Sequence, residues 1–91
     1  MNTWDENKRT ENMERHDGID FADLECLFDA PMVTVEDARE AYGEERLQSL
    51  CWYRGRVVFL VWTERGEDVH LISCRYGNKH ETRQYFKALG L

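Results

Sequence analysis

The sequence predicts one α+β domain with two N-terminal helices, an antiparallel meander of three or four strands, and a closing helix. Three observations carry that expectation. Phe21, Leu24, Leu27 and Phe28 recur at helical spacing in the first third. Between Met32 and Arg75 short apolar, β-branched runs are separated by turn signals. Tyr85, Phe86 and Leu89 then return to helical spacing. At 91 residues the chain suffices for one domain, taken as residues 1–91, and is short for two.

The elements follow in order. Asp5 fits the N-cap of a first helix running to about His16, with Gly18 ending it. That helix is polar almost all round, with Met13 its one large apolar interior residue, so it needs another reason to stay docked. Asp20 fits the cap of a second helix, with Ile19 and Leu24 as a hydrophobic staple and Pro31 as its stop. Met32–Val35 reads as a short strand and Glu36–Glu45 as a charged loop. Arg46–Tyr53, Val57–Thr63 and Val69–Arg75 read as strands, joined by turns at Arg54-Gly55 and Glu64–Asp68. Consecutive hairpins make the meander antiparallel, with helices on one face and the other face open. Asn78 caps the last helix.

Composition narrows the function classes. The longest apolar run, Val57–Trp62, has the length of a buried strand and is far below a membrane span. Met1–Asp5 lacks the basic start and apolar stretch of a signal peptide. Cys26, Cys51 and Cys74 are odd in number and lack metal-site spacing, which fits a reducing, cytoplasmic setting with no metal and no cofactor. Net charge is −6, but it is unevenly spread. Residues 1–45 hold 14 Asp/Glu against 4 Lys/Arg, and residues 46–91 hold 4 against 8. One half therefore repels phosphate while the other suits it.

Several cations are candidates for phosphate chemistry, because arginine forks donate two parallel hydrogen bonds to it. Arg46 opens a strand and Arg65 sits two connections later, so both can lie at one end of the sheet. Regular alternation groups Arg75 with Ser73 and Leu71, and His70 with Ile72 and Cys74. On the first helix Trp4, Lys8, Asn12 and His16 recur every four residues and form one stripe. Two readings of that stripe stay open. Either Lys8 and His16 face a ligand, or Trp4 and Asn12 lock the helix to the sheet while His16 caps it.

The same residues carry a family resemblance. Trp4-Asp5, Lys8, Asn12 and Arg15-His16 look like W-D-x-x-K-x-x-x-N-x-x-[KR]-H, the opening signature of BrnT-type toxins. Phe21-Ala22-Asp23, Phe28–Pro31, Glu45-Arg46, Thr63–Gly66, Ile72–Arg75, and Glu81 with Tyr85 resemble later segments of that family in the same order. The resemblance implies a RelE-like fold and a toxin that cuts RNA without a metal and halts translation. It implies a ribbon–helix–helix antitoxin as partner, through which alone the complex touches DNA. Its candidate catalytic residues are His16, Arg46, Arg65, Arg75, Glu81 and Tyr85, with Lys8, His70 and Lys79 as RNA contacts. His70 stands where the family often has arginine, which motivates an alternative: an inactive member that only binds its antitoxin.

Overall fold

The structure is a computed structural model that describes residues 1–41 and 44–90. Strand β1 (Asn2–Trp4) leads into helix α1 (Glu6–Arg15), then two 3-10 turns at Phe21–Asp23 and Glu25–Asp29. Strands β2 (Val33–Ala41), β3 (Glu44–Tyr53), β4 (Arg56–Arg65) and β5 (Asp68–Tyr76) follow, and helix α2 (Lys79–Ala88) closes the chain. The sheet order is β1-β5-β4-β3-β2. The meander β2 to β5 is antiparallel, as expected, while β1 lies parallel to β5 at one margin. No helix among the described residues is long and apolar enough to cross a membrane.

Four expectations are corrected. The sheet is mixed and five-stranded, because Asn2–Trp4 pairs with Val69–Leu71; three residues pairing across most of the chain leave no local periodicity to read. The second N-terminal helix is two 3-10 turns. Its buried residues, Phe21, Leu24 and Leu27, are spaced by three, and three residues per turn align them on one side. The charged segment from Glu36 is mostly strand, with Asp37 opposite Arg46, because a marginal strand keeps one edge in water and tolerates charge. The part of that predicted loop at residues 42–43 lies outside the described residues. Finally, both faces of the sheet are packed. Val58, Leu60 and Trp62 join the 3-10 residues in one cluster, whereas Val57 and Phe59, pointing oppositely, meet Tyr85, Phe86 and Leu89 of α2.

A bulge sets which β5 side chains share a face. The register runs Val61↔Ser73 and then Trp62↔Leu71, so Ile72 is an extra residue. Leu71 and Cys74, three apart, are therefore both in the core. Regular alternation had grouped Arg75 with Leu71. The bulge instead puts His70, Ser73 and Arg75 on the face that α2 partly covers.

Helix α1 docks through polar groups. Asn12, 5% exposed, donates from Nδ2 to the carbonyls of Cys74 (2.9 Å) and Ile19 (3.1 Å), and its Oδ1 accepts from the Cys74 N–H (2.9 Å). The amide imitates a peptide group and completes the β5 edge where β1 has ended. Arg9 grips Asp20 with Nε and Nη2, at 2.7 and 2.9 Å, and ties α1 to the first 3-10 turn. That ion pair and the Ala22 N–H hold the Asp20 carboxyl down at about 2. Cys51 and Cys74 are buried with thiols pushed up to about 12 by desolvation, while Cys26 is exposed.

Candidate functional site

On the α2 side of the sheet, same-face positions along β4 are Val57, Phe59, Val61, Thr63 and Arg65, in rows roughly 6.7 Å apart. The register adds a partner set to each row: Trp52 to Val57, Leu50 and Arg75 to Phe59, Gln48 and Ser73 to Val61, His70 to Thr63, Asp68 to Arg65. Continuing the alternation along β3 adds Arg46 and Glu44 to this face. Arg46, Arg65, His70 and Arg75 thus share one surface of the sheet, the first three toward the end where α2 does not pack and Arg75 beside α2.

At that end Arg65 holds Glu44 with two bonds, Nε at 3.0 Å and Nη2 at 3.3 Å. The Arg65 bond keeps the Glu44 carboxyl below its ordinary range against a desolvation penalty, and the charges of His70 and Arg46 act in the same direction. Arg65 is thus the hydrogen-bonded partner of Glu44, and Arg46 acts on the same carboxylate through its charge. His70 shares a hydrogen bond with Thr3 through Nδ1, at 2.9 Å to Oγ1. Its imidazole is pushed below the ordinary histidine value by burial first and by the Arg65 charge next.

Beside this cluster a groove of about 360 Å³ opens between α1 and the sheet. Lys8, Arg15, His16, Arg46, Ile72 and Ser73 line it, with Glu11 and Asn12. His16 is the C-cap of α1, its backbone N–H bonded to the Asn12 carbonyl at 2.8 Å. Lys8 is exposed and reaches Glu11 at 3.6 Å. Three cations and a histidine from α1 and β3 thus surround one opening.

Arg75 lies further along the face. It donates from Nη1 and Nη2 to Glu81 at 2.8 and 2.9 Å, from Nη1 to the Tyr76 carbonyl at 3.2 Å, and stacks 4.4 Å above the Phe59 ring. Glu81 closes the capping box of α2 with Asn78, which fixes its carboxylate beside β5. The Arg75 bond comes first in lowering the Glu81 carboxyl. A guanidinium has five N–H donors. Arg75 uses three and Arg65 two, so each keeps donors for an anion.

Two predicted residues lie apart from these. Tyr85 is buried, and its hydroxyl donates to the Pro31 carbonyl at 3.1 Å. Lys79 opens α2 beside Trp52, at a different groove. The sequence reading missed Glu44 as the carboxylate that holds Arg65, since it lies within a segment read as loop. It also missed Ser73 as a groove residue, because the bulge is invisible to alternation. Among the described residues no group of three His, Cys, Asp or Glu could hold a metal ion.

The family model described as ribonuclease toxin, BrnT, of type II toxin–antitoxin system matches residues 4–81. That span contains every predicted site residue except Tyr85. A comparison with curated proteins finds no match.

Proposed function

Because this chain belongs to the BrnT family of ribonuclease toxins of type II toxin–antitoxin systems, we propose that it halts translation by cutting RNA without a metal, using the basic face beside α1. Membership implies an antitoxin partner. In this reading the partner is a ribbon–helix–helix protein, the complex touches DNA only through it, and the toxin works in the cytoplasm as one RelE-like domain of residues 1–91.

The chemistry needs three services: a base to take the proton of the RNA 2′-hydroxyl, cations for the charge on the pentavalent phosphorus, and an acid for the departing 5′-oxygen. Arg46, Arg65 and Arg75 supply the cations. His16, which lines the groove with Arg46, is the proton carrier, and Lys8, His70 and Lys79 hold flanking RNA. Glu81 acts by gripping Arg75, and Tyr85 by anchoring α2 to Pro31. The observation that carries this reading is the gathering of Arg46, Arg65, His70 and Arg75 on one sheet face, with Lys8 and His16 at its edge.

The test is purified chain with labelled RNA, with and without chelator. Cleavage that persists in chelator supports the proposal; cleavage that chelator abolishes overturns metal independence. Arg65→Ala and Arg75→Ala are each expected to relieve growth arrest while the circular dichroism of the wild type is kept. If both remain fully toxic, the active face is elsewhere.

A second reading is a member that binds its antitoxin and cuts nothing. It is favoured by His70, which burial and Arg65 hold towards the neutral form where a permanent cation is common in the family. Antitoxin binding without RNA cleavage would select it.

A further inference from the structure

The geometry points to a second nucleotide station at the hairpin end of the same face, where the Trp52 indole is a stacking shelf for one base of single-stranded RNA and Arg56, Lys79 and Arg83 take the adjoining phosphates. The inference rests on the RNA-cutting reading and names a substrate form for it, an unpaired strand.

Trp52 is 42% exposed, and it is the one aromatic among the exposed large hydrophobics of the described residues. It is nonetheless held still. Tyr85 lies nearly parallel to it (18°, 6.3 Å between centroids) and Phe86 meets it edge-on (61°, 5.7 Å). An indole already ordered in this way loses little freedom when a base stacks on it. Trp52 opens onto a groove of about 520 Å³ that contains the side chains of Arg56, Lys79 and Arg83 and no carboxylate. In a chain with 18 Asp/Glu, a groove lined by three cations and no acid is a selective feature. Lys79 and Arg83 make no ion pair among the described residues, and Arg56 lies over the Tyr76 ring at 3.8 Å.

An aromatic shelf with cations beside it is the physical form of a single-strand site, since every base offers a π-face and a duplex does not release one. The shelf and the arginine cluster flank α2 on opposite sides: Lys79, Thr82 and Phe86 border the Trp52 groove, whereas Glu81, which holds Arg75, borders the other flank. A strand stacked on Trp52 therefore reaches Arg75 by crossing α2. An acidic protein segment would use the same cations but has no planar base for the indole.

The experiment titrates a short fluorescent single-stranded RNA, 2′-O-methylated so that it cannot be cut, followed by anisotropy. Trp52→Ala is expected to weaken binding about tenfold, and Trp52→Phe to restore most of it. The Lys79→Gln/Arg83→Gln double variant is expected to flatten the dependence of log affinity on log salt by about 1.4. All variants are compared at matched circular dichroism. Unchanged affinity in both Trp52→Ala and the double variant overturns the shelf. So does failure of the wild type to bind the strand, or loss of antitoxin binding alone. Because the probe cannot be cleaved, the outcome is independent of the cutting assay. A chain that cuts but ignores Trp52 keeps the nuclease and loses the shelf; one that binds through Trp52 without cutting does the reverse.

Discussion

Asn12 shows how one residue can dock an otherwise hydrophilic helix. Its three hydrogen bonds are buried, and truncation would strand the Cys74 N–H and carbonyl away from water. Asn12→Ala is therefore expected to cost about 2–4 kcal/mol in urea unfolding. The four-residue stripe made this position legible, but not its partner, since Cys74 is 62 residues away. Two titrations follow from neighbouring groups. The Asp20 carboxyl falls from 3.8 to about 2 on folding, so its contribution is present above 3.8 and lost as pH falls toward 2. Asp20→Asn should remove that part of the acid limb, read as the urea midpoint against pH. For His70 the folded value is also lowered, but the group is a base. The unfolded chain binds the proton first, so stability drops as pH falls below about 6.5. His70→Gln should flatten the wild-type curve between about pH 7.5 and 5.5; equal slopes would mean that His70 is not the group responsible.

The elements most legible in sequence were those whose signal is local. Asp5 and Asn78 cap their helices, and Arg54-Gly55 turns between β3 and β4 with both residues at positive φ, 48° and 80°. Gly55→Ala would meet no neighbour but would be strained by its backbone alone. It is expected to cost about 1 kcal/mol, measured as a lower melting temperature with the fold retained. The elements that were misread depend on distant contacts or on periods other than 2 and 3.6. β1 exists only because β5 is there to pair with it. The 3-10 pair shows its three-residue repeat clearly only once burial is known. Leu24, fully buried between the two turns, is the stringent probe of that packing: Leu24→Ala should cost about 2–5 kcal/mol. The Ile72 bulge matters most for the proposed site, because without it His70 and Arg75 would not share a face.

Taken whole, the molecule is acidic yet carries Arg46, Arg65 and Arg75 on the face that α2 borders. That partition was legible as the contrast between residues 1–45 and 46–91; the convergence of cations from three strands and two helices was not, since it depends on register. If a basic antitoxin segment is drawn to the acidic half, association should slow markedly as salt rises. A stopped-flow rate flat in salt would count against that. The two margins of the sheet are also unequal. On one side β1 is only three residues long and the Asn12 amide occupies the backbone beyond it. On the other, β2 offers nine residues of backbone with only β3 beside them. Recruitment of a stranger's strand, the first step toward fibrils, is thus confined to β2, and whatever companion shields that margin also keeps crowded copies of the toxin from templating one another.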